Sequence, residues 1–309
     1  MARDLILFGA GASHGSDRSN TPPLGSSLFA ELRCFDPPGW GQIPAELSKA
    51  FACDFEAGMA RLAEVDPHSM PIRQRAMARY FFNYRPAATN LYVELARRIA
   101  SRRWKGACAT LNYERLLPLS VVSAGLQPVA DGLQLVVTMT PVGGRPLEIC
   151  LPHGCCHIFC ESVRGSADAV SFSATAVTTS GPVVAVSDPA RYHERISTDA
   201  FPPVMSYVEP RRTTTSGTSF IENQRQRWGE LARTASKIAV VGVRVRTRDE
   251  HIWKPLADTS AELIYCGGPS AAVEFEQWHQ SSRPHSTLRV MRGHFAEEFD
   301  GLCRELDLL

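Results

Sequence analysis

Apolar residues in this chain fall into short unbroken runs, separated by longer stretches where they recur every third or fourth position. The runs at Leu5–Phe8, Ala107–Leu111, Leu135–Thr138, Glu148–Leu151, Val183–Val186, Ile238–Val241 and Leu263–Tyr265 read as strands. Continuous rather than alternating apolar character fits a parallel sheet covered on both faces. The intervening stretches read as helices. Leu24, Leu28 and Leu32 share a face, with Phe29 beside them, and Leu91, Leu95 and Ile99 repeat the spacing. Glu94 and Arg98 add a favourable i,i+4 pair, and Glu222–Ser236 is a polar-faced helix running into the strand KIAVVG. The order predicts one α/β domain over 1–309, a Rossmann-like doubly wound parallel sheet with a helical insertion at about 27–103 after its first strand. Residues 161–220, rich in Ser, Thr and Ala, read as a loose loop region or lid.

Composition narrows the partners. Thirty-three Lys and Arg against thirty-two Asp and Glu leave a net charge of +1, without the basic excess expected of a phosphate-backbone binder. The densest basic stretch, VRVRTRDEH (243–251), alternates with apolar residues and ends in acids, so no direct nucleic-acid binding is expected. No apolar run reaches the ~18 residues of a membrane span, and MARDLILFGAG is too short in its apolar part for a signal peptide. Nine scattered cysteines suit reduced thiols, and the chain is expected in the cytoplasm.

The candidate chemistry begins at LILFGAGASHGSD (5–17). GASHG is a literal G-x-S-x-G, which would make Ser13 a nucleophile. A nucleophile elbow needs a helix at once, however, and here DRSNTPP follows. A dinucleotide fingerprint would need glycine where His14 stands, and no acid follows at a second strand tip. What remains is a pair of glycines after a buried strand, which let backbone approach a ligand closely. Three further predicted strand ends carry polar or glycine signatures: TLNYERLL (110–117), LPHG (151–154) and VVGVRVRTRDEHIW (240–253). In an open parallel sheet such ends share one edge, so Asn112, His153 and Asp249 are expected to converge on the glycine loop. Taken singly, Asn112 also suits a helix cap, His153 a turn and Asp249 a solvated ion pair with Arg248.

GAGAS, TLNYE, PHG and GVRVRTRDEHI, in that order, resemble the sirtuin-like NAD-hydrolysing domains of bacterial anti-phage defence proteins, as do Pro-Leu-Gly at 23–25 and DFE at 54–56. The resemblance covers about residues 5–255. It implies an NAD pocket lined by Gly9, Ala10, Gly11 and Ser13, with Glu114 and Gly242 also on the cofactor. It makes Asn112 the holder of the nicotinamide ribose or the attacking water, and His153 a general base or orienting group. Asp249 and His251 would lie near the adenosine end or stabilise their loop. It also implies a homo-oligomer, or association with an ATPase or Argonaute-type partner. Three departures stand out. Glu114 replaces the motif's aspartate, the Phe-Arg pair of the deacylases is missing from TPPLGSS, and no CxxC occurs anywhere. Cys150, Cys155, Cys156 and Cys160 with His157 lack the spacing of a zinc knuckle, so no metal is expected. The readings left standing are an NAD hydrolase, an NAD-dependent protein deacylase, and a non-catalytic nucleotide-binding scaffold.

Overall fold

The computed structural model describes residues 3–137, 144–161, 170–173, 176–179, 181–206 and 216–309. The chain begins with β1 (Arg3–Phe8) and a single helical turn, α1 (Ala10–His14). Next come α2 (Gly25–Phe35), α3 (Ala45–Cys53), α4 (Phe55–Val65), α5 (Met70–Phe82) and α6 (Leu91–Ser101). After them come β2 (Ala107–Thr110), α7 (Leu116–Ser123), β3 (Gln127–Ala130), β4 (Leu133–Gln134), β5 (Pro146–Cys150) and β6 (Ile158–Cys160). Then follow β7 (Val170–Ser173), β8 (Ala176–Thr179), β9 (Val183–Ala185), α8 (Pro189–Thr198), α9 (Thr218–Thr234) and β10 (Ala235–Val241). The chain closes with α10 (Glu250–Asp258), β11 (Glu262–Cys266), α11 (Pro269–Ser282), β12 (Leu288–Met291) and α12 (Phe295–Glu305).

Eight of these strands form one sheet in the order β12-β11-β10-β1-β2-β5-β3-β4, parallel throughout except for β4. The chain lays strands on one side of β1 first and on the other side later, so the sheet is doubly wound, with its switch between β1 and β10. Its strands read as continuous apolar runs because both faces are covered. Ile6, Phe8, Cys108, Ile149, Val241 and Ile264 enter one core, together with buried residues of α2–α7 and α12. Leu5, Leu7, Ala109, Cys150, Val240 and Leu263 alternate into the other, together with α9, α10 and α11.

The predicted helical face at Leu28, Phe29 and Leu32 is buried, whereas Leu24 lies at the N-cap of α2 and is exposed. Leu95 and Ile99 are buried, and Arg98 Nε donates to Glu94 at 3.1 Å. Two strand expectations change. Val183–Val186 forms no part of the main sheet; β9 pairs antiparallel with β6 in a separate ribbon. At Leu135–Thr138 the strand lies earlier, at β4. Leu135 and Val136 are buried without joining a ladder, Val137 is exposed, and Thr138 lies outside the described residues. Much of the loose region expected at 161–220 also lies outside them, namely 162–169, 174–175, 180 and 207–215.

Candidate functional site

Four neighbouring parallel strands, β10, β1, β2 and β5, each end in one of the sequence signatures. Their carboxyl ends therefore place Gly242, Gly9–Ser13, Asn112 and His153 along one edge of the sheet. The two glycine turns are pressed together at the switch. Gly9 N donates to Val241 O and Gly11 N to Gly242 O, both at 2.9 Å. A Cβ on Gly9 would lie 2.7 Å from Gly242 O, and one on Gly242 only 2.1 Å from Ala12 N, at a φ of +63°. The glycines are thus required by loop-to-loop packing, while Ala10 in the first turn is exposed.

Beneath this turn lies a buried polar network. The Ser13 hydroxyl, 1 % exposed, pairs with the Tyr92 hydroxyl at 3.0 Å and donates to Glu114 in a short hydrogen bond. Asn112 Nδ2 donates to Ser13 Oγ at 2.8 Å and to Gly9 O at 3.0 Å. The second Glu114 oxygen accepts from the backbone N–H of Leu116 at 2.6 Å, where α7 begins. Tyr92 reaches Ser13 because Asn90 caps α6 and ties it to the first turn: its side chain accepts from Tyr92 N and donates to Ser16 Oγ. Burial pushes the Glu114 carboxyl above its usual range, with hydrogen bonds from Ser13, Leu116 and Asn112 pulling partly back. Burial likewise raises the Tyr92 phenol.

These contacts qualify three expectations. The Ser13 hydroxyl meets Tyr92, Glu114 and Asn112, and none of these is a histidine that would activate a nucleophile. Glu114, expected at the cofactor, spends both carboxylate oxygens inside the protein. Asn112 braces the glycine turn from below. Tyr92 was missed, because its position 79 residues from Ser13 carries no local signal and on α6 it reads as one more core aromatic.

A second group forms beside the first. His153 Nε2 and His251 Nε2 lie 3.1 Å apart, and their ring nitrogens and an Asp249 carboxylate oxygen all fall within 4.8 Å of one another. Asp249 and His251 were expected at an adenosine end or as braces of their loop; the structure sets both against His153. Tyr113, next to Asn112, brings its ring centroid to 6.4 Å from the His153 imidazole, and its hydroxyl donates to Ser206 O at 2.6 Å. Gly154 follows His153 with a φ of +77°, and a Cβ there would lie 2.0 Å from Val204 O. Its glycine identity thus serves the turn and a backbone approach. The DFE segment also joins the edge. Arg246 reaches Glu56 at 2.9 Å and Asp54 at 3.2 Å, linking the loop after β10 to the start of α4. Burial works against ionisation of Asp54, but the Ala57 N–H and the Arg246 guanidinium outweigh it and hold the carboxyl below its usual range.

The cysteines of 150–160 do not gather into one group, although Cys155 and Cys156 bring their ligand atoms within 4.8 Å of each other and of His157. Cys150 packs on one face of the sheet, and Cys155 and Cys156 on the other. Cys155 contacts Tyr113 O, Glu114 O and His157 Nδ1, while His157 Nε2 pairs with Leu135 O at 2.7 Å. A cavity of about 520 Å³ opens between α9 and α10, lined by His251, Arg225, Arg233, Glu250, Lys254 and Asp258 among others. A larger one of about 850 Å³ lies at the amino ends of the strands, around Arg3, Lys105 and Arg145. The smaller cavity includes His251 in its lining, whereas the larger one lies at the edge opposite the glycine turns. No helix among the described residues is long and apolar enough to cross a membrane.

No protein-family model and no curated protein matches the chain. Solved sirtuin structures match it end to end at low identity. A Sir2 bound to acetylated peptide is 13 % identical with a TM-score of 0.45, covering 99 % of this chain and 94 % of its own. A Sir2 complex with the inhibitor EX-527, 2′-O-acetyl-ADP-ribose and deacetylated p53 peptide is 13 % identical with a TM-score of 0.46, covering 99 % and 95 %. A Sir2–p53 peptide–NAD+ complex is 14 % identical with a TM-score of 0.42, covering 99 % and 94 %. The functional reading of this chain therefore rests on its own side chains.

Proposed function

We propose that this protein binds NAD at the carboxyl edge of its sheet and hydrolyses it to nicotinamide and ADP-ribose, as an assembly-controlled effector of anti-phage defence. The observation that carries the reading is the adjacency of β10, β1, β2 and β5, which gathers four sequence-distant signatures on one edge. The dinucleotide would lie against Ala10 and Gly11, where the first turn is accessible. Loss of nicotinamide leaves an oxocarbenium-like ribose, and polar groups fixed in advance stabilise such a cation. Water then attacks the anomeric carbon, and its proton passes to the His153 imidazole, a group able to accept it. The Ser13–Tyr92–Glu114 network holds Asn112 and the glycine turn in place without itself needing to touch substrate. The defence role, and oligomerisation or an ATPase or Argonaute-type partner, rest on the motif resemblance.

Binding and turnover are tested separately. NAD is expected to raise the melting temperature of the purified chain, and Ala10→Leu, a change at an exposed position of the glycine turn, to abolish that rise while leaving a folded protein. Nicotinamide release is expected not to require an acetylated peptide. Strict dependence on such a peptide, with acyl transfer to ADP-ribose, would make the protein a deacylase. NAD binding without cleavage under any assembly condition would make it a scaffold.

A further inference from the structure

We propose that His153, Asp249 and His251 form a binding site for one divalent cation of the zinc class. The inference goes beyond the NAD reading, does not depend on it, and departs from the metal-free expectation drawn from the sequence. The donors come from two separate loops, the exit of β5 and the turn into α10, and the fold alone brings them together. Two imidazoles bound to one zinc-class ion at about 2.0–2.1 Å stand roughly 2.8–3.4 Å apart, depending on whether the geometry is octahedral or tetrahedral. The two Nε2 atoms stand 3.1 Å apart. An Asp249 carboxylate oxygen lies within 4.8 Å of a ring nitrogen of each histidine, close enough for a side-chain rotation to complete a three-donor face.

The donor set also selects the ion. Two imidazoles and one carboxylate are borderline ligands, suited to Zn²⁺, Co²⁺ or Ni²⁺, whereas Ca²⁺ and Mg²⁺ demand mostly oxygen. His153 and Asp249 are 4 % and 5 % exposed, which limits competition from water, while His251 is only half-buried and gives the ion a way in beside the α9–α10 cavity. Three protein donors leave at least one coordination position open. The other cluster, Cys155, Cys156 and His157, is a poorer host. Its three residues are consecutive and buried, which leaves an ion no way in from solvent. Where the base role of His153 runs through Nε2, a cation bound there occupies the accepting nitrogen, so occupancy and turnover exclude each other.

Zn²⁺ and Co²⁺ are titrated calorimetrically into the full chain carrying Cys34→Ser and Cys53→Ser, which removes the two exposed thiols. The expected result is one ion per chain and a visible Co²⁺ spectrum free of thiolate charge transfer. His251→Ala, with its fold checked by circular dichroism, is expected to weaken binding at least tenfold. Asp249→Asn provides a second variant, expected to weaken binding in the same way, should the first not fold. No binding by the parent chain, undiminished binding by a folded variant, or a thiolate-dominated Co²⁺ spectrum would each overturn the proposal.

Discussion

Replacing Gly242 with alanine strikes the joint between the two glycine turns. The new Cβ would lie 2.1 Å from Ala12 N and 2.5 Å from Gly11 C, and both obstacles are backbone. No rotamer change relieves the clash, so the β1 turn or the β10 exit must move. Alanine also dislikes the φ of +63° held by Gly242. The left-handed conformation costs an ordinary residue roughly 1–2 kcal/mol. Forcing an extra carbon into a packed contact costs about 1–3 kcal/mol more. The expected loss is therefore about 2–5 kcal/mol, a large share of the 5–15 kcal/mol that typically holds a domain together. Gly25→Ala is the control: it starts α2, and nothing lies within 4 Å of its added carbon. That change is expected to be neutral or stabilising by up to about 1 kcal/mol. Urea unfolding followed by tryptophan fluorescence reads both. A folded Gly242→Ala within about 0.5 kcal/mol of the parent, at unchanged slope, would refute the claim that packing dictates this glycine.

Other perturbations separate further parts of the account. Burial raises the folded-state pKa of Glu114 above its unfolded value, so folding takes up a proton and stability is lost as pH rises from the unfolded value through the folded one. Glu114→Gln does not titrate, so its stability relative to the parent should improve with rising pH, by at most about 1.4 kcal/mol per pH unit; parallel pH–stability curves would contradict this. A fluorophosphonate probe should leave Ser13 unlabelled, and labelling there would revive the nucleophile reading. Asn112→Ala strips a donor from Gly9 O and Ser13 Oγ, so it should cost about 1–3 kcal/mol of stability besides any effect on turnover. An unchanged melting temperature for that variant would argue against the bracing role.

The sheet was legible where strands are covered on both faces, because such strands announce themselves as unbroken apolar runs. β12 escaped notice because it is an edge strand, LRVM, with partly exposed alternating positions. β3 escaped because QPVA is short and contains a proline. Val183–Val186 misled for a related reason: a small antiparallel ribbon packed on the core shows the same local pattern as a central strand. At the candidate site, the glycines and polar residues after strands share one edge, as the sequence led one to expect of parallel neighbours. Partner choice was not legible. Nothing local says that Ser13 would be met by Tyr92 and Glu114, or that His251 would meet His153 across 98 residues. Such pairings depend on strand order and helix placement, which periodicity leaves open.

The central claim is that this edge cleaves the glycosidic bond of NAD with His153 as the proton acceptor. Its most direct test is nicotinamide release from NAD by the assembled protein, measured beside a folded His153→Ala variant at saturating NAD. The account expects release by the parent without any peptide, and a fall of roughly 10²–10⁴-fold in the variant, the usual scale for losing a positioned acid–base group. Full NAD cleavage by folded His153→Ala would contradict it.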